Sequence, residues 1–481
     1  MVEKYNLVVI GGGSAGLVTS YIAAAVKARV ALIERDKMGG DCLNTGCVPS
    51  KALIKTARFV YEMNRHQELG VQNVRYEVNF ASVMERVHKV IKSIEPHDSV
   101  ERYQGLGVDC ITGHAEIIDS ETVKVGDKTL KTRSIVLAQG AEPFIPPIPG
   151  LDQIDYLTSD NLWNLKELPE RLVVLGGGPI GCELAQAFSR LGSEVTIVEM
   201  LPKILIREDE DVVSVMEAQF EKEGINLLTN TRAVGVENSS GQKLLLCEND
   251  NGPQQKIPFD GLLVAVGRKA RTAGIAWNKL GIQLRKNGTI DVDDYLCANG
   301  RNIYAAGDIT GPYQFTHTAA HQAYYASVNA LFRPFVKFKA NYRVIPWVTY
   351  TDPEIAQVGL NEKSAKEKGI DYELTKYGID DLDRAITESE AHGFVKVLTE
   401  KGSGDGKILG ATIVSHNAGE LNTEFIAAMQ HGFGLNKILG TIHPYPTMSE
   451  ANKYAAGVWK KSQVKPWVMD ILTKYHKFRR S

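Results

Sequence analysis

Leu7-Val8-Val9-Ile10-Gly11-Gly12-Gly13-Ser14-Ala15-Gly16 opens the chain with an aliphatic run that breaks into G-x-G-x-x-G spacing at Gly11, Gly13 and Gly16. A helix-permissive stretch follows, then Val30-Ala31-Leu32-Ile33 ending on Glu34. The series returns as Leu172-Val173-Val174-Leu175 with Gly176, Gly178 and Gly181, then Val195-Thr196-Ile197-Val198 and Glu199, every matched position displaced by 165 residues. Strand, glycine turn, helix and second strand are the parts of a βαβ unit. There the first glycine permits the tight turn, the second lets the backbone approach a pyrophosphate, and the third lets helix and strand pack closely. The helix N-terminus offers unpaired N–H groups and a positive dipole end to the phosphates. The terminal acid accepts from a ribose hydroxyl. One such motif is weak, but two complete copies in register predict two dinucleotide sites. Glu199 would repel a 2′-phosphate, so the second site favours NADH over NADPH, although Arg207 partly offsets this.

With 481 residues, the chain exceeds a single hydrophobic core and predicts several domains. A composition 43% hydrophobic and 23% charged is that of a folded globular protein. Lys and Arg number 55 against 57 Asp and Glu, which gives no electrostatic case for nucleic-acid binding. No apolar run reaches the length of a membrane span, and the first strand begins too early to leave room for a secretory signal. A cytoplasmic protein is expected. Six cysteines are too few for a secreted disulfide framework, and Cys110, Cys182, Cys247 and Cys297 are scattered as buried or incidental thiols would be.

Cys42 and Cys47 differ from these. They lie in Gly39-Gly40-Asp41-Cys42-Leu43-Asn44-Thr45-Gly46-Cys47-Val48-Pro49-Ser50-Lys51. Their spacing suits neither a zinc site nor a C-x-x-C motif. It can close a small disulfide ring at the start of a helix, where the N-terminus favours thiolate over thiol. The other readings are a static bridge or two unrelated thiols, and a static bridge is disfavoured in the cytosol.

The pattern G-G-x-C-x-N-x-G-C-x-P-S-K resembles the active-site signature of the class I pyridine nucleotide-disulfide oxidoreductases, which include lipoamide dehydrogenase, glutathione reductase and mercuric reductase. The resemblance implies an α/β fold with two Rossmann-like dinucleotide-binding domains, for FAD and for NAD(P)H, plus a C-terminal α+β dimerisation domain. The FAD domain is expected at 1–150 and 270–340, the NAD(P)H domain at 151–269, and the dimerisation domain, marked by Pro346-Trp347-Val348-Thr349-Tyr350-Thr351-Asp352-Pro353-Glu354, at 341–481. It further implies a homodimer with FAD and NADH as cofactors and no metal. Cys47 would lie against the flavin as the charge-transfer thiolate, and Cys42 would be the interchange thiol. Lys51 would stand near flavin N5 with Glu183 as its ion-pair partner. Ile135-Val136-Leu137-Ala138-Gln139-Gly140 resembles the strand and turn that return to the FAD domain, with Gln139 where Thr is more frequent. Gly140 and Gly267 are assigned to cofactor binding. Ile303-Tyr304-Ala305-Ala306-Gly307-Asp308 resembles the second FAD signature, with Asp308 on the ribityl chain, and Thr316-His317-Thr318-Ala319 would begin a helix aimed at the flavin's pyrimidine end.

One segment departs from the family. His443-Pro444-Tyr445-Pro446-Thr447-Met448-Ser449-Glu450 stands where the family has H-P-T-x-S-E, so Tyr445 occupies the place of the histidine base and Glu450 that of its orienting acid. Tyrosine, with a pKa near 10, is a poor base at neutral pH; His443, two residues away, is the alternative. Mercuric reductases share the tyrosine, but no cysteine follows Cys297 and no metal-binding head domain precedes Gly11. The expected enzyme is mercuric-reductase-like without metal-delivery equipment, its acceptor a small-molecule or protein thiol/disulfide or a metal ion. The alternatives are lipoamide dehydrogenase and, in another class, a flavin-bearing redox sensor or assembly subunit. The last rests on a basic tail in which Trp467, Ile471, Tyr475 and Phe478 share a helical face among Lys465, Lys474, Lys477, Arg479 and Arg480. Such a helix can lie on a membrane, though packing on the dimer or a solvated end is the plainer reading.

Overall fold

The aliphatic run before each glycine motif becomes an inner strand with parallel neighbours on both sides. This computed structural model describes residues 2–239, 241–249 and 254–480. The chain divides into two compact units, Met1–Ile204 with Glu223–Asn341, and Leu205–Lys222 with Tyr342–Ser481.

In the first unit, β1 (Val2–Ile10), α1 (Ser14–Ala25) and β2 (Val30–Glu34) form the first βαβ unit. The sheet adds β3 (Val108–Thr112), β4 (Ala115–Asp119), β5 (Thr122–Val125) and β6 (Lys128–Leu137) in the order β3-β2-β1-β6-β5-β4. Successive β1 residues face opposite ways, as a strand's period of two requires. Leu7 and Val9 enter one core with Leu32, Val136 and Tyr304, while Val8 and Ile10 enter another with Ile33, Ile135 and Leu137. Burial on both faces explains why β1 reads as a continuous apolar run rather than an alternating one.

A second parallel sheet repeats the plan with β7 (Arg171–Leu175), β8 (Glu194–Val198), β9 (Asn226–Leu228) and β10 (Gly261–Val264), ordered β9-β8-β7-β10. Far along the chain, β11 (Ile303–Ala305) returns to the first sheet and pairs in parallel with β6, Ile303 opposite Ile135.

The second unit holds a five-stranded antiparallel sheet: β12 (Pro346–Thr349), β13 (Glu354–Gly359), β14 (Tyr372–Gly378), β15 (Phe394–Glu400) and β16 (Ile408–Ser415), ordered β12-β13-β16-β15-β14. Val395, Val397, Ile413, Phe425 and Trp459 share its core. The segment Leu205–Lys222 groups with this unit, although the sequence reading places it inside 151–269. The reason is a buried charge. Lys396 on β15 is fully buried, and its Nζ lies 2.6 Å from Asp209, 2.7 Å from Asp211 and 3.2 Å from Glu362. Burial alone would discharge this lysine, but the Asp209 and Asp211 carboxylates outweigh it and hold the pKa above the ordinary lysine value. Trp347 Nε1 also donates to Glu208 at 2.9 Å. Among the described residues, no helix is long and apolar enough to cross a membrane.

Candidate active site

The two glycine loops have the same construction. Gly11 (φ +107°) and Gly176 (φ +103°) turn so tightly that a Cβ would lie 2.3 Å from Ala138 O and 2.6 Å from Ala265 O. At Gly16 and Gly181 a Cβ would meet the carbonyl oxygens of Gly11 and Gly176 at 1.8 and 2.0 Å. The middle glycines behave differently. Gly13 (φ −83°) precedes α1, and Gly178 (φ −75°) precedes α4 (Pro179–Leu191), both in conformations open to any residue. A Cβ at Gly13 would approach nothing nearer than 3.7 Å, and one at Gly178 nothing within 4 Å. Nothing in the chain's own packing demands glycine at either position. Neither helix has a side-chain cap, so their first N–H groups face that room. A pyrophosphate approaching the backbone accounts for both facts, and the residues fit FAD at the first loop and a nicotinamide dinucleotide at the second.

Glu34 and Glu199 have a task the sequence reading did not include. Glu34 accepts from Gly12 N at 2.5 Å and Asp36 N at 2.8 Å. Glu199 accepts from Gly177 N and Leu201 N, both at 2.7 Å. Each carboxylate therefore staples its glycine loop, and its remaining lone pairs stay available to a ribose. A cavity of about 270 Å³ lined by Glu34, Met38, Asn44, Asp98, Ser99 and Cys110 adjoins the first loop. Gln139 Oε1, next to Gly11, is buried without a hydrogen-bond partner, as a group awaiting a bound donor would be. Gly140 (φ +69°) and Gly267 (φ +132°) make the turns after β6 and β10.

Cys42 lies in the short helix α2 (Gly40–Asn44) and Cys47 is the first residue of α3 (Cys47–Asn64). The loop between them is held by its own backbone: Asp41 O accepts from Thr45 N at 2.9 Å and from Gly46 N at 2.5 Å. Asn44 Nδ2 donates to Met38 O and Gly40 O. Cys47 Sγ is 3.5 Å from Thr316 Oγ1, and Thr316 begins α5 (Thr316–Phe332), which lacks a side-chain cap. Two helix N-termini thus converge on one sulfur. The Cys42 thiol hydrogen bond lowers the Cys47 pKa most, followed by the Thr316 hydroxyl and the Lys51 charge, against the opposing effect of burial. Cys42 is pushed far up, first by that same bond and then by burial. The two thiols therefore titrate as a pair, with the lower pKa on the Cys47 side and the higher on the Cys42 side.

A pH profile checks this asymmetry. Because the Cys47 pKa is lowered, its thiolate persists below the ordinary thiol range near 8.5. In reduced, flavin-free protein, iodoacetamide is expected to modify Cys47 at neutral pH on the order of tenfold faster than Cys110, whose pKa burial raises to about 11. Equal rates at neutral pH would contradict the assignment.

Lys51 lies one turn beyond Cys47, and its Nζ meets Glu183 Oε2 on α4 at 2.8 Å. Asp308 follows β11, and burial raises its pKa to about 6 although Arg268 opposes the shift. The sequence reading missed three residues at this site. Arg268 donates to Asp41, to Ala141 O at 3.0 Å and to Ser159 Oγ at 3.3 Å, tying the α2 loop to the turn after Gly267. Trp163 Nε1 donates to Thr45 O at 2.9 Å. Asp41 and Arg268 each adjoin a named residue, a usable signal. Trp163 gave none, being more than 100 residues from the loop it touches.

In the second unit, α6 (Ala418–His431) carries Glu424 and α7 (Glu450–Ser462) begins with Glu450, which is buried and accepts from Thr447 N and Tyr454 OH, both at 3.3 Å. Tyr445 is 68% exposed and its hydroxyl donates to Asp383 at 2.8 Å, a bond that raises its pKa. His443 is engaged through both ring nitrogens. One ring nitrogen lies 3.1 Å from Thr441 O and the other 3.1 Å from each Glu424 carboxylate oxygen. Both partners lie within the same unit, and the His443 side chain is only 6% exposed.

Fold and glycine loops together define a flavin- and nicotinamide-dependent oxidoreductase. Residues 5–323 match the family described as pyridine nucleotide-disulphide oxidoreductase, and residues 345–456 match its dimerisation domain. The chain belongs to this family, is an FAD-dependent enzyme of the NAD(P)H-using class, and carries the domain through which the family forms homodimers. Among its relatives, mercuric reductase of Lysinibacillus sphaericus is 35% identical over 96% of this chain and 84% of its own length. Dihydrolipoyl dehydrogenase of Chlamydia muridarum is 33% identical over 96% and 97%. The HOCl-induced flavoprotein disulfide reductase RclA of Escherichia coli superposes with a TM-score of 0.83 at 27% identity, covering 96% of this chain and all of its own.

Proposed function

We propose that this enzyme passes an electron pair from NADH to a Cys42–Cys47 disulfide, and from the resulting thiols to a thiophilic acceptor. The observation that carries this reading is the asymmetry of the pair, with Cys47 the first residue of α3, 3.5 Å from Thr316 at the start of α5 and beside Lys51. FAD, held by the first glycine loop with Lys51, Gly140, Asp308 and Thr316 near it, supplies the two-electron relay between nicotinamide and disulfide. The residues do the rest. Two electrons break the Cys42–Cys47 bond, and one proton completes a thiol on Cys42 beside a thiolate on Cys47. The α3 and α5 N-termini and Lys51 stabilise that thiolate, while Glu183 balances the lysine. Cys42, the protonated partner, is the thiol that meets the acceptor. Glu199 on the second loop favours NADH, since a 2′-phosphate would face its charge.

The domains follow the same plan, with FAD held by 1–150 and 270–340, NADH by 151–269 apart from Leu205–Lys222, and dimerisation by 341–481. Ile442 and Tyr445 are 92% and 68% exposed, which suits a segment offered to a second copy of the chain. A redox-cycling thiol pair suits a reducing, cytoplasmic setting.

Tyr445 decides the acceptor class. Its raised pKa keeps the phenol protonated at neutral pH, so it donates and does not serve as the base that Cys42 needs for attack on an ordinary disulfide. A soft metal cation needs no such base, because coordination itself displaces the thiol proton. The test is an acceptor comparison on wild type and Tyr445→His. Hg(II) reduction is expected to change little, while dihydrolipoamide oxidation rises on the order of a hundredfold in the variant. A wild-type dihydrolipoamide rate equal to the variant's would return the enzyme to the lipoamide dehydrogenase reading.

A further inference from the structure

The proposed chemistry leaves one helix unused. Residues Pro466–Arg479 form α8, which contains no buried residue, and the match to the dimerisation domain ends before it, at 456. Its large apolar side chains stand in water: Trp467 is 59% exposed, Met469 53%, Ile471 55%, Tyr475 49% and Phe478 77%. At 3.6 residues per turn, Trp467, Val468, Ile471, Leu472, Tyr475 and Phe478 fall on one stripe. His476, Lys477 and Arg480 fall on the opposite face, Lys474 flanks the stripe beside Trp467, and Arg479 lies inside it, where a long stem can lie flat and its head reach outward.

A helix this short is marginal in water without a partner for its apolar face. Charge indicates which partner. From Lys465 to Arg480, five Lys and Arg residues stand against Asp470 alone, in a chain whose formal net charge is −2. A second copy of α8 packed along the stripe would set like charges against each other. An anionic lipid surface does the reverse, receiving the cations at its headgroups and the stripe in its acyl boundary. Trp467 and Tyr475 are the side-chain types that favour such an interface. We infer that α8 is an in-plane anchor that holds this oxidoreductase on an anionic membrane surface.

Full-length holoenzyme is sedimented with phosphatidylglycerol–phosphatidylcholine vesicles and with pure phosphatidylcholine vesicles. Binding is expected to be at least about tenfold stronger to the anionic vesicles and to fall away at high salt. Trp467→Ser/Ile471→Ser/Phe478→Ser is expected to abolish binding with NADH oxidation unchanged. In the unmutated protein, anionic vesicles are expected to blue-shift tryptophan emission, a shift lost in Trp467→Phe. Equal sedimentation with both vesicle types, or no emission shift, overturns the inference. So does a halved molar mass for the triple variant in light scattering, which would place α8 in the dimer interface.

Discussion

Cys42→Ser and Cys47→Ser are each expected to lower turnover of a thiophilic acceptor by on the order of a thousandfold or more, since nucleophile and relay act as one unit. The two variants should differ in kind. In Cys47→Ser the residue at the paired helix N-termini has no sulfur to receive electrons, so no thiolate forms there. In Cys42→Ser, Cys47 survives, and the serine hydroxyl can replace the thiol as donor to it alongside Thr316 and Lys51, whereas Cys42→Ala removes that bond, the one that lowers the Cys47 pKa most. The Cys47 alkylation profile of Cys42→Ala is therefore expected to move toward the ordinary thiol range without reaching it. An acceptor reduced as fast by Cys42→Ser as by wild type would bypass the pair.

Lys396→Met is expected to cost about 3–5 kcal/mol in the second unit, because it strands the buried Asp209 carboxylate and removes the partner shared with Asp211 and Glu362. Lys396 has no exposed side-chain surface and Asp209 only 5%, so water cannot replace the lost partner at Asp209, although it reaches Asp211 and Glu362. The methionine nearly conserves the volume of the stem, which isolates the charge from packing. Lys376 supplies the control. It too meets Asp211, at 2.6 Å, but 43% of its side chain is in solvent. Lys376→Met is expected to cost less than about 1 kcal/mol. Urea midpoints for the two variants check the contrast, and comparable losses would remove Lys396 as the tie between Leu205–Lys222 and the antiparallel sheet.

Local patterns were legible in the sequence where they repeat. The 165-residue displacement carried over into two βαβ units whose glycines share the same close approaches. The cysteine loop was legible as a candidate redox pair through its resemblance to the family signature, since spacing alone disfavours the zinc and thioredoxin-like readings but leaves a static bridge or two unrelated thiols open. Other features were not readable because they depend on partners distant in sequence. Trp163 reaches Thr45, and Lys396 draws Asp209 and Asp211 away from the nucleotide segment in which they lie. Neither contact leaves a periodicity or motif behind. His443 illustrates the same limit, because proximity to a motif does not reveal that Glu424 and Thr441 already occupy its ring. Spacing put Glu34 and Glu199 at the end of β2 and just beyond β8, where the structure has them, yet their stapling of the glycine loops emerges only from the folded backbone.

The central claim is that NADH electrons arrive at Cys42 and Cys47, and alkylation mapping tests it most directly. Oxidised holoenzyme is treated anaerobically with NADH, quenched with iodoacetamide and digested, and all six cysteines are followed by mass spectrometry. The expected result is a Cys42–Cys47 bridged peptide before NADH and a doubly alkylated one after it, with the other four cysteines unchanged. A bridge that survives NADH, or a pair already present as thiols and indifferent to it, would contradict the account.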